Sequence, residues 1–84
     1  MDSYHDHTYT LHVGFSREIS PAYVEYLIRD LVGRYAHIRA EGPDFVVEGL
    51  DIETAQLAEA NIRAQTGIFA NVLDGRGVMH NIGR

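Results

Sequence analysis

The chain has 84 residues, enough for one domain, and a domain of this size buries only roughly 60–65% of its unfolded surface. It contains no cysteine, which excludes disulfides and thiolate chemistry. Twelve acidic residues against seven basic ones give a formal charge of −5, and this disfavours non-specific nucleic-acid binding, which needs clustered cations to release counterions. All seven basic residues are arginine, and they are scattered. The opening MDSYHDH is polar and acidic, unlike a secretory leader. No apolar run approaches the roughly 20 residues that span a bilayer. The expectation is a cytoplasmic protein without a membrane segment.

The first predicted element is a strand over 8–15. Tyr9, Leu11, Val13 and Phe15 alternate with Thr8, Thr10, His12 and Gly14, a period of two that sends one row to the core. A helix follows, with Ser20 as N-cap and Pro21 at its first position. Tyr23, Val24, Leu27, Ile28, Leu31 and Val32 form its apolar stripe. Tyr26 falls among the polar residues of the other side, and Gly33 marks the end. Residues 35–40 alternate again, Glu41-Gly42-Pro43-Asp44 supplies a turn, and 45–50 returns as a hairpin partner.

A second helix is expected over 52–66, with Asp51 as N-cap, Glu53 in its first turn and Gly67 after its last residue. Its apolar positions are small: Ala55, Leu57, Ala58, Ala60, Ile62 and Ala64. Asn61 is placed at the margin of that stripe, since asparagine is rarely buried. The last clear strand covers 68–73. Asp74-Gly75 signals a turn, after which 77–82 returns as a short fifth strand or runs on as a tail.

This order, βαββαβ in one domain spanning 1–84, predicts an α+β fold of the ferredoxin-like kind. It has a four-stranded antiparallel sheet with two helices on one face. The expected division is a flexible 1–7, a core over 8–73, and 74–84 as hairpin return or tail. The opposite face of the sheet is left uncovered. Thr10, His12, Tyr35, His37, Arg39, Phe69 and Asn71 are expected there.

Several clusters point to chemistry. His5, Asp6 and His7 are competent ligands for zinc, copper or nickel, but three ligands at a chain end fall short of a fixed four-ligand site. His12 and His37 are the candidate general bases. Arg76, between Gly75 and Gly77, is the candidate anion-binding residue. RNA-recognition modules also use an open sheet face, with aromatics that stack bases. Their third strand carries a Lys/Arg-Gly-Phe-Gly-Phe-like run, whereas here it reads Phe45-Val46-Val47-Glu48-Gly49. Acylphosphatases share the fold as well, but their Gly-rich anion loop has only a faint echo in Gly14-Phe15-Ser16-Arg17.

The reading that fits these observations is a small acidic protein-binding module, a regulator or inhibitor of the kind found among bacterial and phage accessory proteins. It needs no cofactor and works through a protein partner or as a homodimer. Tyr26, Tyr35, His37, Arg39, Glu48 and Phe69 are its expected partner-binding residues. The alternatives are a small cofactor-independent dimeric enzyme or ligand-binding domain built on a sheet histidine, and a metal binder built on the N-terminal histidines.

Overall fold

The computed structural model describes residues 9–34 and 36–81. Its elements follow in the order β1 (Tyr9–Val13), α1 (Pro21–Val32), β2 (Ile38–Glu41), β3 (Asp44–Leu50), α2 (Ile52–Thr66) and β4 (Ala70–Leu73). The strands form one antiparallel sheet in the order β2-β3-β1-β4. This is the ferredoxin-like arrangement: each strand–helix–strand unit skips one position, and the other unit's strand fills the gap.

The core lies between sheet and helices. Leu11 and Val13 of β1, Val47 and Leu50 of β3, and Ala70 and Val72 of β4 meet Val24 and Ile28 of α1 and Ala55, Ala58 and Ile62 of α2. Alternation along the strands sends His12, Val46 and Asn71 to the other face. The small residues of α2 let that helix lie close to the sheet.

Local rules account for the boundaries. The Ser20 hydroxyl accepts the Tyr23 N–H, and Pro21 occupies the first turn of α1. The helix α2 begins after Asp51, whose backbone carbonyl, not its side chain, accepts from Ala55. It ends at Gly67 in the left-handed region. Between β1 and β3 the register shifts after Tyr9, so β3 carries one extra residue, at Glu48–Gly49. Gly49 adopts φ +79° there, as a glycine bulge requires.

Several expectations need correction. The first strand stops at Val13, not at residue 15. Phe15 is 53% exposed instead of core, because the chain turns away after Gly14. That glycine brings the backbone close to β4: its N–H donates to the Phe69 carbonyl at 2.8 Å, and a Cβ there would sit 3.0 Å from the same oxygen. Tyr23 leaves the apolar stripe and stacks on the exposed Tyr26, with ring centroids 6.4 Å apart. Leu57 is likewise exposed on α2. The second strand begins at Ile38. Arg29 of α1 donates to the carbonyls of Arg34 and Ala36 and holds that connection out of the sheet. No full fifth strand forms within the described residues. After Asp74 the chain makes a single bridge, Leu73 to Met79.

Candidate partner-binding face

The face of the sheet without helices carries one row across every strand: Arg39, Val46, His12 and Asn71 are successive register partners. Glu41 and Asp44 pair beside it at the turn between β2 and β3. Cross-strand diagonals lie roughly 7–8 Å apart, within reach of long side chains. Two polar links result. His12 Nε2 lies 3.1 Å from Asp44 Oδ2, which accepts its N–H. Arg39 donates from Nη1 to Glu41 at 3.2 Å and from Nη2 to Glu48 at 3.0 Å. The Glu48 hydrogen bond is the larger cause, and Glu41 the next, of a guanidinium pKa raised above its already high value.

Between these links, Val46 is only 4% exposed although no helix covers it; the side chains of Arg39 and His12 flank it on either side. His37, Arg39, Val46, Glu48 and Gly49 line an open depression of about 530 Å³. Diagonally across the face, Phe69 stands 73% exposed. It points away from Ile68 and Ala70, its buried neighbours in sequence.

Of the residues expected to meet a partner, His37, Arg39 and Glu48 thus come together around one depression, and Phe69 lies apart on the same face. Tyr26 sits on α1, over a second depression with Arg29, Asp30, Gly33 and Arg34. Tyr35 lies outside the described residues, as do His5, Asp6 and His7. Among the described residues no three metal-ligating side chains gather. His37 lines the first depression and His12 does not.

Arg76 is 82% exposed at its side chain and bonds Asp74 at 3.3 Å. The loop around it already holds an anion, the carboxylate of Asp74. Oδ1 accepts the backbone N–H groups of Arg76 and Val78, and Oδ2 faces His80 Nε2 at 3.0 Å. The Val78 N–H first, and His80 next, hold the Asp74 carboxyl well below the usual carboxylate range. The His80 ring in turn meets Tyr9 edge-on, with centroids 5.5 Å apart.

Sequence reasoning missed three features. His12–Asp44 spans 32 positions and has no local signal. Asn81 completes the β4 edge, accepting the Val72 N–H at 2.7 Å and donating to the Asn71 side chain at 3.1 Å. Glu59 is fully buried on α2 against Arg63, with Oε1 unpartnered among the described residues. The four-residue spacing of that pair was its one visible sign. No helix in the described residues is long and apolar enough to cross a membrane. Comparison with protein-family models, curated proteins and solved structures finds no match to this chain.

Proposed function

We propose that this chain is a small protein-binding module, a regulator or inhibitor that docks the open face of its sheet on a partner protein. The observation that carries the reading is the composition of that face. An exposed Phe69 offers an apolar anchor, the Glu41 and Asp44 carboxylates pair at the turn between β2 and β3, and Glu48 lines the open depression. Hot spots are built this way, with an aromatic residue that desolvates and charges that set orientation. The net negative charge favours a partner that presents a basic surface. A basic nucleic-acid-binding site on that partner is the fitting target.

The test is capture with tagged chain, followed by titration of the captured protein against purified variants. Phe69→Ala and the double variant Glu41→Gln, Glu48→Gln are each expected to weaken binding by about tenfold or more. Equal binding by wild type and both variants would overturn the reading.

One observation favours a second reading, a ligand-binding or catalytic domain. His12 is oriented by Asp44 as a general base would be. It predicts a small molecule whose thermal stabilisation of the protein disappears in His12→Ala but persists in His37→Ala.

A further inference from the structure

The two edges of the sheet are treated differently. The chain covers β4 itself: His80 donates its N–H to the Val72 carbonyl at 2.7 Å, Asn81 accepts the Val72 N–H, and Leu73 bridges to Met79. At the other side β2 is the outermost strand, and among the described residues nothing pairs with its outer edge. An uncovered edge is a template for another strand. Among the described residues no helix lies on the open face, and on the helix side Ala40 is exposed although Ile38, two residues before it, packs against the core.

The charges on the edge then select the occupant. Arg39 and Glu41 are two apart and share the open face, where they already bond each other. Consider two copies of β2 set antiparallel about a two-fold axis. An axis at Arg39 opposes arginine to arginine, and an axis at Glu41 opposes two carboxylates. An axis at Ala40 opposes Arg39 to Glu41 twice, at the roughly 5 Å where cross-strand pairs interact. It also brings the two small Ala40 side chains together and keeps the helices of both copies on one side. Charge and register therefore agree on one arrangement.

We infer that the β2 edge binds the β2 edge of a second copy of this chain, antiparallel about Ala40, with Arg39 of each copy facing Glu41 of the other. This goes beyond the partner-binding reading and does not depend on it: the two copies join through the backbone of the β2 edge, with only the register set by Arg39 and Glu41 on the open face.

The test uses the full chain in sedimentation equilibrium, with Arg39→Glu and Glu41→Arg checked for folding by circular dichroism. Wild type is expected to dimerise. Each variant sets like charges across the axis and should associate about tenfold more weakly or worse. An equimolar mixture of the two variants should recover the dimer, since one chain then supplies only carboxylates at the edge and the other only guanidiniums. Neither variant keeps the Arg39–Glu41 bond within its own chain, so recovery reports the contact between copies. A monomeric wild type, variants that dimerise like wild type, or a mixture no more associated than its components would each overturn the inference. Amide exchange over 38–41 in wild type gives a check without any variant: it should slow as concentration rises, and no change would be equally fatal.

Discussion

Asp74 serves the loop after β4 as a bound anion would. Its carboxylate takes the N–H groups of Arg76 and Val78 and the His80 ring, and these donors favour the charged form. The sign of the pH effect follows. A carboxyl held below its ordinary range binds fewer protons in the folded state than in the unfolded one, so its stabilisation is complete above the unfolded value of about 4. It is lost as pH falls through the folded value. The stability gap between wild type and Asp74→Asn should therefore be constant at neutral pH and close below about pH 4 in urea titrations. A gap that stays constant into strong acid would refute this. Glu59 poses the opposite problem. It is fully buried, the half-exposed Arg63 is its ion-pair partner, and Oε1 has no partner among the described residues. Removing one member of a buried pair is costly, while replacing the pair with apolar groups is often neutral. Arg63→Ala should cost about 3 kcal/mol in urea unfolding, and adding Glu59→Leu should return most of it.

At the scale of elements, the sheet edges explain more than the helices do. A strand edge carries unpaired N–H and C=O groups, and β4 satisfies its own with a side chain and one turn of chain instead of a fifth strand. Gln56 of α2 donates to the His80 carbonyl and ties that segment to the helix layer. Asn81→Ala should remove the acceptor of the Val72 N–H, speed exchange of that amide and cost about 1 kcal/mol. Unchanged exchange at Val72 would mean that the His80 backbone contact alone protects the edge.

The whole molecule has one hydrophobic core shared by both helices and three strands, which predicts a single cooperative unfolding transition. Stability near 0.1 kcal/mol per residue is typical of such domains. Ile62 is fully buried in that core. Ile62→Ala should cost about 2–5 kcal/mol, a large share of the total, and lower the thermal midpoint without splitting the transition. Two separate transitions by circular dichroism and fluorescence would show that the layers unfold independently.

The order of elements was legible in the sequence, because strand and helix announce themselves through apolar periods of two and 3.6 residues, and because Ser20, Pro21, Gly42 and Gly67 mark ends by their own backbone preferences. The outward rows were legible for the same reason: alternation along the strands sends His12, Arg39 and Phe69 away from the core. Periodicity has no information on where cover stops: Phe15 and Tyr23 follow the apolar pattern but lie beyond the reach of the opposing layer. Nor does it carry register. His12 meets Asp44, and Asn81 meets Val72, only because strands distant in sequence pair at particular offsets. The sequence by itself determined the elements and their faces, which depend on neighbours along the chain. The tertiary structure alone decided which charges pair, which edge is closed and which stays open, because those depend on distances across the sheet.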